Sequence, residues 1–316
     1  MPNSFIRLAR PLLGLCAAAL ATSAAAQTPL DGIRLYALSD AHELIVVSAA
    51  EPQKIIRSVT LYGLAPNERV LGIDYRVAYG VMFALGSSGR VFTVDVNSGA
   101  LTPVGDKPFA LALEGERFGF DFNPAADRIR IVSDRGQNLR AHPETGALVD
   151  FKPDTEGLQP DGALAFRSDD ANAGHTPRVI AAAYTYNNDN EKLTTNFAID
   201  GELGALVRQG SVEGVEPVVS PNSGQLSTVG ALGVAGISDA HFDISDVTNT
   251  ALAALSTRAA PTPTLYRIDL ATGQASAIGT IGNGEPLRGI AIEPLLNDGG
   301  PGFTPAPLPA LRPRCT

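Results

Sequence analysis

The chain has 316 residues, a net charge of −9 and no tryptophan. An acidic surface repels phosphate backbones and anionic lipid, so nucleic acid and membrane surfaces are poor partners for it. Its 32 glycines and 23 prolines suit many short strands joined by tight turns rather than long helices.

Arg7 and Arg10 precede the apolar run Pro11–Leu20, and small residues then lead to Ala24-Ala25-Ala26-Gln27. This is the layout of a secretory signal peptide cleaved after Ala26, so a periplasmic or extracellular protein is expected. The apolar run is shorter than the ~20 residues that a membrane span needs. No later segment is long and apolar enough either, and no membrane insertion is expected. Cys315 is then the one remaining thiol, which excludes an internal disulfide and a structural cysteine zinc site. The expected organisation is a signal peptide over residues 1–26, one domain over 27–296, and a disordered Gly/Pro-rich tail over 297–316. A monomer is expected.

The chain repeats itself. Gly72-Ile73-Asp74-Tyr75 returns as Gly119-Phe120-Asp121-Phe122, 47 residues later. Looser copies are Gly162–Phe166, His241-Phe242-Asp243-Ile244 and Gly289-Ile290-Ala291-Ile292. A period of about 40–50 residues with several strands per repeat is the signature of propeller blades. The second repeat is the clearest, with strands a to d at Leu71–Tyr75, Val81–Leu85, Arg90–Asp95 and Ala100–Val104, each bounded by turn formers. The turn between c and d recurs at Arg140–Gly146 and Tyr266–Gly273, where glycine ends it and an Asp or Thr can bond to the turn backbone.

The phrase Leu287–Ile292 has no b, c and d strands after it, whereas Ile33–Leu38, Leu44–Val47 and Ile55–Val59 look like b, c and d without an a. Pairing them closes the ring and removes its sheet edges. The expected fold is therefore an all-β propeller of five blades, closed by the N- and C-terminal strands. The 79 residues from Gly162 to His241 hold either an insertion in blade four or a degenerate sixth blade, with Gln225–Gly230 resembling a strand d.

Two longer stretches carry a family resemblance: Phe118–Pro124 with Asp127–Asp134 and Gly136–Arg140, and Ala183–Asn187 with Leu226–Gly233. Together they resemble the bacterial domain of unknown function family 4394, over about Leu35 to Ile292. The resemblance implies a secreted, propeller-like protein and supplies neither an activity nor catalytic residues.

No Gly-x-Ser-x-Gly elbow, phosphate loop or His-Glu-x-x-His is present, and none of the four histidines stands at metal-ligand spacing from another. No catalytic residue is assigned. Two constellations remain. Arg128 and Arg130 share one face of a strand by its period of two, with Arg140 in the next strand, and guanidinium forks suit a carboxylate or phosphate. The alternative is an ion-pair network between blades in which Asp121 and Asp127 neutralise the arginines. Asn187, Asp189 and Glu191 offer oxygens at alternate positions, as loops that wrap calcium do; the alternative is a polar hairpin turn. That loop is placed between strands b and c of blade four.

The b–c and d–a loops of a blade share one face of the ring, and the long stretches Lys152–Pro160 and Ser211–Asn222 are read as d–a connections that open on it. A ligand is expected on that face, near Asp134, Gln137, Asn138, Asn187 and Asp189, because variable polar loops on a rigid scaffold carry function. The leading functional expectation is a non-catalytic exported binding module for a protein or small ligand. The alternatives are a calcium-assisted hydrolase of the lactonase-like propeller type and a structural envelope or matrix protein.

Overall fold

The inner strands of the sheets are covered on both sides, which is why they read as continuous apolar runs instead of alternating ones. In β1 (Arg34–Ser39), Leu35 and Ala37 join one apolar layer, while Tyr36 and Leu38 join the next. In β5 (Val81–Gly86), Met82 and Ala84 face back to blade one, and Phe83 and Leu85 face forward to blade three. Successive side chains of a strand point to opposite faces, so a sheet wedged between two others needs apolar residues at every position.

The computed structural model describes residues 29–294 except Val247. The expected signal peptide, the expected tail and Cys315 lie outside the described residues. Five sheets are arranged radially as a five-bladed β-propeller. Blade one joins β20 (Leu287–Ile292) to β1, β2 (Glu43–Ser48) and β3 (Glu51–Thr60). Register pairs Leu35 with Ile292 and Ala37 with Ile290, so the ring closes through strands from opposite ends of the chain, as expected. Blade two is β4 (Val70–Arg76), β5, β6 (Val91–Val94) and β7 (Leu101–Val104). Blade five is β16 (Ile237–Ile244), β17 (Ala251–Thr257), β18 (Thr264–Ile268) and β19 (Ala275–Thr280).

Blades three and four depart from the repeat. Blade three has β8 (Phe118–Asn123), β9 (Arg128–Ser133) and β10 (Asn138–Ala141), and its fourth strand is reduced to a bridge between Ala141 and Leu148. In blade four the innermost strand is β12 (Val179–Tyr184), followed by β13 (Asn196–Asp200), β14 (Ala205–Gln209) and β15 (Gln225–Ala231). The phrase Gly162–Phe166 is therefore not an inner strand. It supplies β11 (Ala165–Phe166), which runs parallel to β15 at the outer edge as a fifth strand. This insertion fills the long gap, and the sixth blade does not form.

The c–d turns behave as expected. Asp95 Oδ1 accepts from the amides of Asn97 (2.9 Å) and Ser98 (3.3 Å). Gly99 follows with φ +82°, where a Cβ would come 2.2 Å from the Thr60 carbonyl oxygen. Asp269 repeats this with Ala271 (2.8 Å) and Thr272 (3.3 Å). In blade three His142 Nδ1 takes the acceptor's place, 3.2 Å from the Glu144 amide. Among the described residues no helix is long and apolar enough to cross a membrane.

Candidate functional site at the channel mouth

The five inner strands β20, β4, β8, β12 and β16 surround a channel and run in one direction. Each leaves the channel where its a–b connection begins. The repeated phrase puts an aspartate at one height in three of them: Asp74, Asp121 and Asp243. Each is tied to the next blade around the ring. Asp74 Oδ2 accepts from the Phe122 amide at 2.7 Å, Asp121 Oδ1 from Tyr184 at 2.8 Å, and Asp243 Oδ2 from Ile292 at 2.5 Å. By the same register Ala183 and Ala291 hold this place in β12 and β20, so two junctions lack the carboxylate link.

All three carboxyls are buried, and their oxygens lie within 4.8 Å of one another. Burial pushes the pKa values of Asp74 and Asp121 well above the usual carboxylate range; the charge of Asp243 pushes both further, and that of Asp74 adds to the rise at Asp121. Burial raises Asp243 to about 7. Like charges this close and this buried do not all ionise. Without a cation the cluster therefore carries protons at neutral pH.

Above the carboxyls the channel opens on the a–b face into a cavity of about 180 Å³. Its lining includes Asp74, Asp121 and Asp243 together with Asp127, Glu191 and Asp246, against the single base Arg76. That base is already committed: its guanidinium grips the Asp127 carboxylate with both Nε and Nη2, reaches Glu144 at 3.4 Å, and lies 4.0 Å over the Tyr79 ring. Tyr186, at the rim, is fixed by Asn249, which accepts from its amide and donates to its carbonyl, both at 2.8 Å.

A second cavity of about 190 Å³ opens on the same face between blades three and four. It shares Asn123 and Tyr184 with the channel mouth. Arg128, Arg130 and Arg140 line it, so the structure brings together all three arginines expected from the sequence. Their expected neutralisers are not the ones found. Asp161 pairs with Arg130 at 2.6 Å and with Arg140 at 2.7 Å. Asp127 serves Arg76, and Asp121 turns to the channel.

Asp134 and Gln137 sit on the b–c face as expected, where they brace a loop. Asp134 Oδ1 accepts from the amides of Glu116 (2.9 Å) and Arg117 (3.4 Å). Gln137 accepts from the Glu114 amide (3.0 Å) and donates to the Ala112 carbonyl (2.9 Å). Asn138 is buried with both ends used: Oδ1 accepts from Arg130 and Gln209, and Nδ2 donates to the carbonyls of Gly162 and Pro221. An open depression of about 300 Å³ adjoins Gln137 and Asn138 on that face.

The Asn187–Glu191 loop joins β12 to β13 and so lies on the a–b face, not between the second and third strands. The misread inner strand is the reason. Asn187 Oδ1 is occupied by the amides of Asp189 (3.0 Å) and Asn190 (2.9 Å), the geometry of a polar turn. Of the three residues only Glu191 lines the channel cavity. The segment Ser211–Asn222 likewise joins β14 to β15 and opens on the a–b face. The aspartate trio was not singled out from the sequence. Its signal was present: one acid at a fixed phase in strands that are otherwise apolar.

A family model for a domain of unknown function, DUF4394, matches residues 43–291. The chain belongs to the DUF4394 family. No curated protein matches the chain. Solved structures similar to this DUF4394 protein include a chain of the nidogen/laminin complex (12% identity, TM-score 0.42, covering 83% of this chain and 98% of that one). Hydrazine synthase of Kuenenia stuttgartiensis is another (12%, TM-score 0.37, 67% and 49%). A Bacteroides thetaiotaomicron protein of unknown function is a third (13%, TM-score 0.37, 78% and 49%). The match spans about half of the latter two chains. Likeness of this degree carries no functional argument for the DUF4394 protein.

Proposed function

We propose that the protein is an exported, non-catalytic binding module whose site is the a–b mouth of the channel, and that its ligand is positively charged. The layout of residues 1–26 supports export. The observation that carries the site is the lining of the mouth: six acids face a cavity whose one arginine is spent on Asp127 and Glu144. A narrow, acid-lined mouth with low-dielectric walls concentrates cations. The buried trio at its floor holds protons that a bound cation displaces, so binding is linked to proton release.

Thermal unfolding of the purified protein with calcium chloride, magnesium chloride or a small organic amine tests this. Ligand at one hundred times its dissociation constant adds about 2.7 kcal/mol to stability. Asp121→Asn keeps an acceptor for the Tyr184 amide and cannot ionise to meet a cation, so it abolishes the stabilisation. No shift with any of the three probes at millimolar concentration would overturn the reading.

One observation favours a second reading, a calcium-assisted hydrolase. The three carboxylates lie close enough for a single hard ion, and an ion there would polarise a carbonyl bound in the cavity. Calcium-dependent hydrolysis of a lactone or ester panel, lost in Asp121→Asn, would favour this reading over the first.

A further inference from the structure

Four of the five blade junctions are filled by apolar layers to which both blades contribute several residues. The junction between blades three and four is different. Val132 alone represents blade three in its apolar cluster. Arginine takes the rest of that face: Arg128, Arg130 and Val132 alternate along β9, and Arg140 stands opposite Arg130 in β10. A junction built this way gives up apolar burial and needs a compensating role.

The charges do not balance. Arg130 is 2% exposed and donates to Asn138 (2.7 Å), Asp161 (2.6 Å), Asn222 (2.6 Å) and the Tyr184 hydroxyl (3.1 Å). Burial pulls its pKa down, but Tyr184 and Asp161 outweigh that, and it stays charged. Arg140 grips both oxygens of the same Asp161 at 2.7 Å. One carboxylate thus serves two guanidinium groups. Arg128 adds a third, and its hydrogen bonds go to the backbone carbonyls of Ala126 (3.4 Å) and Asp127 (2.8 Å). Among the described residues it has no ion-pair partner within 4.0 Å. Arg140 Nη1 and Arg128 Nε and Nη2 have no protein acceptor among the described residues.

Local hydrogen bonds hold the backbone around these donors. Arg128 follows a turn in which Asn123 Oδ1 accepts from the Ala126 amide (3.0 Å) and the Asp127 amide bonds the Asn123 carbonyl (2.9 Å). Asn222 lies in a short 3₁₀ turn, Pro221–Ser223, whose start is capped by the Ser220 hydroxyl.

We propose that this cleft is a site for a small oxyanion, a carboxylate or phosphate group, that supplies the missing countercharge. Planar guanidinium forks with fixed partners are suited to such a group, and the cavity of about 190 Å³ has room for it. The site is separate in chemistry from the acidic channel mouth and does not depend on the reading of that mouth.

The test is binding of sodium phosphate and of sodium succinate to the full chain, by calorimetry and thermal unfolding, against sodium chloride of equal ionic strength. At least one of the two is expected to bind and raise the melting temperature. Which one binds identifies the group. Arg130 is too deeply built in for a clean variant, so Arg128→Gln is used. It is expected to leave the unliganded melting temperature in place and weaken the anion at least about tenfold. Asp121→Asn is expected to leave anion binding intact, so failure here is distinct from failure of the cation site. Neither probe acting beyond the chloride control, or anion binding unchanged in Arg128→Gln, overturns the proposal.

Discussion

Asp243 illustrates how one side chain holds both structure and chemistry. Its carboxyl links β16 to the Ile292 amide, yet its folded pKa is raised from 3.8 to about 7. A carboxyl that keeps its proton in the folded state and loses it when unfolded makes the native state bind more protons between these values. Stability from this group therefore falls as pH rises from about 4 to about 7. Asp74 and Asp121 act in the same direction. Asp243→Asn keeps an acceptor for Ile292 and cannot ionise. Urea unfolding of cation-free protein at several pH values should show a shallower decline over that window in the variant than in the parent. Asp161 matters through its contacts, being buried and shared by two arginines. Asp161→Asn leaves buried positive charge unpaired and should cost about 3–5 kcal/mol in the same assay.

At the scale of elements, the terminal strand of the ring is the sharpest case. β20 pairs with β1, and Leu287, Ile290 and Ile292 are buried in the layer between blades five and one. Deleting Leu287–Ile292 exposes that layer and the inner edge of blade one, so a large fall in melting temperature is expected; an unchanged value would refute closure through this strand. Blades two, three and five are legible in the sequence because an Asp-bearing inner phrase marks them, and blade one because its missing inner strand returns at Leu287–Ile292. Blade four is not. Its inner strand Val179–Tyr184 has alanines where the phrase has Gly and Asp, while Gly162–Phe166 imitates the phrase and ends at the outer edge. Misplacing one strand reverses the face to which later loops belong, which moves Asn187–Glu191 and Ser211–Asn222 to the wrong side. The arginine cluster is legible from period-two spacing. Its partner Asp161 is not, since it stands 31 residues from Arg130 in a segment without repeat character.

Across the whole molecule the two faces divide the labour. On the b–c face Asp134 and Gln137 spend their polar atoms on backbone groups. The a–b face gathers two neighbouring cavities of opposite character, an acidic channel mouth and a basic cleft, joined by Asn123 and Tyr184. Four apolar layers and the mixed junction between blades three and four hold these elements in place. The central claim is that the channel mouth takes a cation by displacing protons from the aspartate trio. Calorimetric titration with calcium chloride at about pH 6, in two buffers of different ionisation enthalpy, tests it most directly. The account predicts binding whose heat differs between the buffers in proportion to protons released, and which disappears in Asp121→Asn. Binding with no proton release, or binding that survives Asp121→Asn, would contradict it.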